Sequence, residues 1–385
     1  MRQSGRGFPA LAVFSAAATV RACAARCRLL DRMVKSSWFA SELRRELGLR
    51  NRRWARGRAH VESYGNPPVI VYPPEHPTDE DLPVGTTLKR GRHGNFFDAA
   101  YAAIATRSEW MRRFDKIHAQ VRALPKPESG RKWRELDSSM SSDALLMNVF
   151  CAPGVAESMA VRRALGADGE NPPTFGWKAR VPLKSGRFDR TEVDMRWGTL
   201  LVEAKLTESN FQIKAATVME AYRDFDAVFD LELLPRVELA TTRRREATEF
   251  PEDYSQEFEE AGAEAETDLP ASARPPAIVD NTSSAMTGEC AYAGYQLIRN
   301  VLAAYAHGCS FCVIHDERRP DLREAWFEVM AAVKSAEMRV RLKVLTWQEL
   351  ATLLPEELQE FLDLKYGIVA PGRVASPAGN ATEFD

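Results

Sequence analysis

Two acidic residues and a lysine lie at short spacing on either side of a glycine, in a segment that favours a β-hairpin. Asp194 precedes Gly198, and Glu203 and Lys205 follow it. Glycine at the first position of a two-residue loop, here Gly198-Thr199, is typical of a type II′ turn. That turn predicts a register in which Asp194 faces Glu203, with the two Cβ atoms about 5 Å apart on one face of the hairpin.

Strand alternation extends this pattern to the neighbouring residues. Residues two apart on a strand share a face, so Glu203 and Lys205 point the same way. The same register pairs Glu192 with Lys205. The opposite face, where a core could lie, then collects the apolar residues Val193, Val202 and Ala204.

Two carboxylates and an ammonium group on one face suit the hydrolysis of a phosphodiester. Adjacent carboxylates repel each other, and Mg²⁺ binds one or two of them together with waters and substrate phosphate. Such an ion activates water and neutralises charge in the transition state, while a neighbouring lysine can position the water. A solvated face with weak Glu–Lys pairs is the alternative. The apolar context of residues 199–205 favours the site.

Asp194 followed by Glu203-Ala204-Lys205 resembles the motif of the PD-(D/E)XK nuclease superfamily, the restriction-endonuclease-like phosphodiesterases. The resemblance implies that Asp194, Glu203 and the backbone carbonyl of Ala204 bind Mg²⁺, with Mn²⁺ as a substitute. It also implies that Lys205 serves the nucleophilic water. Val193 stands where the superfamily often has proline. The resemblance covers residues 130–345 apart from an acidic insert.

Further candidate residues come from the helices on either side of this motif. Gln296 and Arg299 share a helix face, so both are candidate substrate-binding residues, and Arg299 could hold a phosphate in bidentate fashion. An ordinary surface helix explains them equally well. The superfamily often adds an acid from its first helix. This sequence has no clean match for that acid, so Asp143, Glu157 and the absence of such a ligand all stay open.

The elements that must position these residues follow an α/β order: a helix, three strands, a helix and a strand. This order matches the restriction-endonuclease-like core that the resemblance implies, with a central mixed sheet flanked by helices. The expected helices cover 109–124, Ser141 or Ser142 to Phe150, 211–225, 292–305, 322–333 and, around Pro355, 347–362; the expected strands cover 175–183, 191–196, 199–206, 311–315 and 340–345.

Composition divides the chain into parts of different character. The expected parts are a basic, partly disordered extension over 1–60, a proline-rich lead-in with a helix that packs on the core over 61–129, a nuclease-like core over 130–245 and 289–370, an acidic, disordered insert over 246–288 and a loose tail over 371–385. We interpret residues 1–32 as an extension. A secretory signal is the alternative, but the arginines that follow the apolar run of this segment are a poor match to it.

The overall composition excludes several classes of protein. A chain of 385 residues with 45% hydrophobic and 28% charged residues is neither collagen, nor fully disordered, nor a polytopic membrane protein. A net charge of −2 argues against a binder that works by bulk charge. No phosphate-binding Walker loop, GxGxxG motif or zinc spacing is present.

Six cysteines suit the reducing cytoplasm. An iron–sulfur cluster would need Cys151, Cys290, Cys309 and Cys312, and it is disfavoured because residues three apart on a strand point to opposite faces.

The sequence therefore predicts a cytoplasmic, metal-dependent phosphodiesterase that acts on nucleic acid, with a DNA endonuclease of restriction type favoured. The alternative is a non-catalytic nucleic-acid-binding module on the same fold. No membrane partner is expected, and a homodimer is expected only by analogy with restriction enzymes.

Overall fold

The computed structural model describes residues 36–54, 60–63, 69–72, 93–118, 132–239 and 289–373. The predicted disordered insert and the question of a signal over residues 1–32 lie outside the described residues, as does most of the proline-rich lead-in. Among the described residues, no helix is both long and apolar enough to cross a membrane.

A central mixed sheet of five strands organises the fold, as predicted. Its strands are β3 (Thr174–Lys178), β6 (Glu192–Trp197), β7 (Leu200–Ala204), β11 (Ser310–His315) and β12 (Leu342–Thr346). The spatial order is β12-β11-β7-β6-β3. The β3, β6 and β7 strands are antiparallel, whereas β11 runs parallel to both β7 and β12. The expected α/β fold class is confirmed.

Smaller sheets and helices surround this sheet. The other strands are β1 (His60–Ser63), β2 (Val69–Tyr72), β4 (Val181–Pro182), β5 (Phe188–Asp189), β8 (Ile213–Ala215), β9 (Arg236–Leu239) and β10 (Glu289–Ala293). The helices are α1 (residues 36–54), α2 (Asp98–Ala105), α3 (Ser108–Met111), α4 (Ser142–Phe150), α5 (Met159–Leu165), α6 (Ala216–Glu220), α7 (Phe225–Val228), α8 (Tyr295–His307), α9 (Pro320–Ala331), α10 (Ala336–Arg339), α11 (Trp347–Ala351) and α12 (Glu356–Tyr366).

The β6–β7 hairpin has the register that its turn predicts. Met195 pairs with Val202 and Trp197 with Leu200, on either side of Gly198. Gly198 has a φ of +60°, which a type II′ turn requires at this position. A Cβ there would also lie 2.4 Å from the Asp168 carboxylate, so the close approach of this carboxylate to the turn needs glycine.

Two apolar cores lie on the two faces of the sheet. Val202 and Ala204 pack with α4 and α11, whereas Leu201 packs with α8 and α9. Val193 was expected beside Val202 but packs instead in the core that contains Leu201. The hairpin ladder stops at Met195, so Val193 has no partner on β7 and lies where β6 pairs only with β3.

Two predicted helices are wrong. Over 109–124, helical chain ends at Asp115, and Ile117 bridges to Arg134 in an antiparallel pair. Backbone hydrogen bonds from His118 to Trp133 and from Glu135 to Lys116 replace helical ones, so tertiary pairing overrides the apolar periodicity there. Over 211–225, the chain forms β8 and the short α6 instead, and β8 pairs with β10.

Part of the basic N-terminal segment is an ordered helix. Leu43 and Leu47 of α1 are buried in the core, and Asn51 accepts a hydrogen bond from Lys365 of α12 at 2.7 Å. The arginines of α1 are therefore carried on a helix that is fixed to the C-terminal part of the chain.

Candidate active site

The site begins where β6 and β7 separate. Their ladder ends at Met195 and Val202, and the next backbone N–H on β7, that of Ala204, donates to Asp194 Oδ2 at 2.8 Å. The carboxylate thus takes the place of a main-chain acceptor. This contact holds the Asp194 side chain at the end of β7, where the central sheet opens.

Glu203 and Lys205 meet at this opening, as strand alternation predicts. Lys205 Nζ lies 2.9 Å from Glu203 Oε1, and only 5% of Lys205 and 2% of Glu203 are exposed. The backbone N–H of Lys205 donates to Ile314 on β11, and its carbonyl accepts from Trp347 Nε1. The backbone N–H and the carbonyl of Lys205 are therefore both fixed by neighbouring elements.

The Glu192 prediction is wrong, because Glu192 does not face Lys205. Its carboxylate accepts from Arg113 Nη1 at 2.9 Å and from Lys116 Nζ at 3.1 Å. The separation of β6 from β7 explains this, since Glu192 lies beyond the last paired residues of the hairpin.

Asn300 on α8 also reaches the site, and sequence reasoning missed it. Its Nδ2 donates to Glu203 Oε2 at 2.7 Å, and both side chains are almost fully buried. The prediction named Gln296 and Arg299 on the same helix. The available signal was the i, i+4 spacing of Gln296 and Asn300, which puts two amides on one face. Gln296 Oε1 is buried and has no hydrogen-bond partner within the described residues.

Arg299 has protein partners around its guanidinium. Nε donates to Asp189 at 3.2 Å, Nη1 to the Glu192 carbonyl and to Asn300 Oδ1, and Nη2 to the Thr191 carbonyl. Only 1% of the residue is exposed. In this structure Arg299 therefore orients Asn300 and anchors the start of β6, and it does not present a free fork to a phosphate.

Asp143 is the acid that α4 brings near the site. Its charge, after burial and the charge of Glu203, raises the pKa of Asp194 well above the ordinary value. Arg113 Nη2 donates to Asp143 Oδ2. The other candidate, Glu157, is exposed in the turn after α4 and has no contact with Asp143 or Asp194 within the described residues.

Gly176 on β3 makes room for Arg113. Its φ is +63°, and a Cβ at this position would lie 2.3 Å from Arg113 Nη1. The missing side chain lets the guanidinium lie over the strand between Asp143 and Glu192. No local pattern in the sequence links Arg113 with Gly176.

The carboxylates around Lys205 favour its charged form. Burial alone would lower its pKa, but the carboxylates of Glu203, Glu208 and Asp194 outweigh burial and raise the pKa above the usual range. Glu208 is itself held by Ser142 Oγ at 2.5 Å and by the Leu206 N–H at 2.7 Å. A lysine with a raised pKa is suited to stabilise or orient an anion.

One family model matches most of the chain. It is described as "Restriction Endonuclease associating with ARP", and it matches residues 58–367. The chain belongs to this family. The match contains the whole central sheet and every residue of the candidate site. No curated protein and no solved structure matches the chain.

The residues of this restriction endonuclease family member can be tested for their fit to a divalent ion. Within the described residues, no group of three or more His, Cys, Asp and Glu side chains is arranged to hold a metal. Asp194 and Glu203 are two carboxylates, and the only cation in ion-pair contact with either of them within the described residues is Lys205, which lies 2.9 Å from Glu203 Oε1. Two carboxylates suffice for Mg²⁺, which keeps waters and substrate oxygens as its other ligands. The donor set therefore fits such an ion.

Proposed function

We propose that this chain is a metal-dependent phosphodiesterase of the PD-(D/E)XK type that hydrolyses the backbone of DNA as an endonuclease. The observation that carries the proposal is the convergence of Asp194, Glu203 and Lys205 at the point where β6 and β7 separate. The family to which the chain belongs supports a nuclease-like activity.

Asp194, Glu203 and the backbone carbonyl of Ala204 would hold Mg²⁺ or Mn²⁺. When bound, such an ion supplies an activated water and neutralises charge that develops on the phosphate. Asn300 keeps one oxygen of Glu203 fixed at 2.7 Å, which leaves the other oxygen directed at Lys205. A hydrogen bond of this kind orients a ligating carboxylate.

Lys205 would act by charge and position. Its raised pKa favours the ammonium form, which would donate hydrogen bonds to the attacking water or to a phosphate oxygen. Asp143 adds negative charge beside Asp194, but Arg113 already pairs with it. Asp143 is therefore an accessory residue in this proposal.

Plasmid cleavage in Mg²⁺ tests the assignment. The full chain should nick or linearise supercoiled DNA, and Glu203→Ala and Lys205→Ala should each abolish cleavage, while EDTA stops it in the wild type. Glu157→Gln is the matched control, since this exposed acid lies away from the site. Asp143→Asn should slow cleavage without abolishing it.

The outcomes separate the two functions that the sequence permits. Equal cleavage by wild type, Glu203→Ala and Lys205→Ala refutes the catalytic assignment. DNA binding that needs no metal, without cleavage in Mg²⁺ or Mn²⁺, would instead support a non-catalytic binding module. A parallel assay with a single-stranded and a duplex RNA of the same sequence tests the preference for DNA.

A further inference from the structure

A short hairpin carries exposed positive charge immediately before the strand that bears Asp194. Strands β4 and β5 pair Val181 with Asp189 and Pro182 with Phe188. We call residues 180–190 the basic hairpin. Its cations are Arg180, Lys184, Arg187 and Arg190, all of them exposed, and its only acid is Asp189.

These charges are largely unneutralised by the protein. Within the described residues, no carboxylate lies within ion-pair distance of Arg180, Arg187 or Arg190. Lys184 lies 3.7 Å from Asp226, and both side chains are well exposed, so this pair is weak. The acid of the hairpin is already engaged, because Asp189 accepts from Arg299 and from Tyr222. A surface of this kind attracts a polyanion.

The hairpin also presents an aromatic ring. Phe188 is 43% exposed, and the Arg180 guanidinium lies over it, 4.8 Å from the ring centroid. Arg180 has a φ of +51°, a conformation that is uncommon outside glycine, and the fold nevertheless maintains it. Cations beside an exposed aromatic surface are suited to contacts with phosphates and sugars.

Hydrogen bonds connect the base of the hairpin to the candidate active site. Asp189 binds Arg299, Arg299 Nη1 donates to Asn300 Oδ1, and Asn300 donates to Glu203. The backbone connection is equally short. Arg190 lies four residues before Asp194, a distance of at most about 13 Å in extended chain.

We propose that the basic hairpin binds the sugar–phosphate backbone of a DNA duplex and positions the scissile phosphate at Asp194 and Glu203. The choice of DNA rests on the proposed function. A reach of about 13 Å corresponds to roughly four base pairs of duplex at 3.4 Å per step. The backbone of Arg190 therefore lies within a span of roughly four base pairs from Asp194.

Salt-dependent binding tests this inference with the full chain. A fluorescent 30-base-pair duplex is titrated in EDTA at several KCl concentrations, with wild type and with Arg187→Ala/Arg190→Ala. Two lost phosphate contacts should reduce the slope of log K against log salt by about 1.8. Arg163→Ala/Arg339→Ala is the charge-matched control, because both residues are exposed on α5 and α10, and its slope should equal that of wild type.

A charge-conserving variant separates charge from structure. Arg187→Lys/Arg190→Lys should restore most of the slope, since lysine also releases counterions from phosphate. A slope that falls equally in the alanine and lysine variants overturns the inference. So does a slope that falls by the same amount in the Arg163/Arg339 control.

Cleavage distinguishes failure of this inference from failure of the proposed function. In Mg²⁺, the alanine variant should need more enzyme for half-maximal single-turnover cleavage. Hairpin-dependent binding without any cleavage by wild type supports the binding surface and overturns the nuclease. Cleavage by wild type, with DNA binding unchanged in the alanine variant, supports the nuclease and overturns the binding surface.

Discussion

The contact between Asn300 and Glu203 can be removed by a single substitution. Asn300 Nδ2 lies 2.7 Å from Glu203 Oε2, and each residue is at most 2% exposed. Asn300→Ala leaves that carboxylate oxygen buried without its donor. The side chain of Glu203 then loses the bond that fixes its orientation toward Lys205.

The size of the effect follows from the charge of the acceptor. A hydrogen bond to a charged group contributes about 1.5–3 kcal/mol. If that energy supports the orientation in which Glu203 binds Mg²⁺, its loss weakens metal affinity by roughly 10- to 150-fold, since 1.4 kcal/mol is a factor of ten. Loss of such an outer hydrogen bond commonly changes metal affinity by about 10–100-fold.

Two measurements check this prediction. The concentration of Mg²⁺ that gives half-maximal single-turnover cleavage should rise by this factor in Asn300→Ala, and saturating Mg²⁺ should recover most of the rate. Binding of Mn²⁺, followed by electron paramagnetic resonance without DNA, should weaken in parallel. The second measurement does not depend on activity.

Val301→Ala is the matched control. Val301 is buried on the same helix but packs in the apolar core, so its truncation destabilises the protein without altering Glu203. The reasoning is refuted if Asn300→Ala binds Mn²⁺ as tightly as wild type does. It is equally refuted if Val301→Ala weakens Mn²⁺ binding as much as Asn300→Ala does.

Two further predictions concern stability. Gly176→Ala should lower the free energy of unfolding by about 2 kcal/mol more than Gly186→Ala, because both have a positive φ but only the former Cβ meets the buried Arg113 ion pairs; urea denaturation measures the difference, and equal losses contradict it. Burial lowers the pKa of Lys365 well below its ordinary value. The unfolded state then binds more protons below pH of about 10.4, so wild type should lose up to about 1.4 kcal/mol of stability per pH unit as pH falls from there toward the native pKa. Lys365→Met should lack that slope, and the surface variant Lys334→Met should retain it. If the difference in free energy of unfolding between wild type and Lys365→Met is constant with pH, the native lysine stays protonated and the prediction is wrong.

The elements that the sequence predicted well are those with strong local signals. The Ser141 side chain caps α4, as its position before an apolar run indicates. The β6–β7 register follows from Gly198 in the turn. The predicted helix over 211–225 is wrong because β8 pairs with β10. Strand β10 follows the acidic insert, so the residues around β8 carry no local signal of this pairing.

The residues of the candidate site also differ in whether a local signal predicts them. Glu203 and Lys205 could be predicted to lie together because one strand period fixes their relation, whereas Asp194 lies beyond the last paired residue of the hairpin and is held instead by the Ala204 N–H. Only the i, i+4 spacing from Gln296 pointed to Asn300, and the tertiary contacts show that Asn300, and not Arg299, reaches Glu203. Arg113 was beyond prediction because its partners Asp143 and Glu192 lie 30 and 79 residues away in the chain.

The distribution of cations explains why the inner carboxylates suit a metal. Arg113 pairs with Asp143 and Glu192, and Lys116 pairs with Glu135 and Glu192, so the outer acids are balanced by the protein. Within the described residues, no lysine or arginine lies within ion-pair distance of Asp194, whose carboxylate has only the Ala204 N–H.

Lys205 therefore compensates two inner carboxylates, those of Asp194 and Glu203, and it forms an ion pair only with Glu203. Two close carboxylates repel each other unless one of them is protonated or a cation compensates them. A divalent ion would provide this compensation, and a duplex held by the basic hairpin would bring the remaining oxygen ligands. Within the described residues, the protein neutralises its outer acids with its own cations, whereas the Asp194 and Glu203 carboxylates have one cation, Lys205, between them.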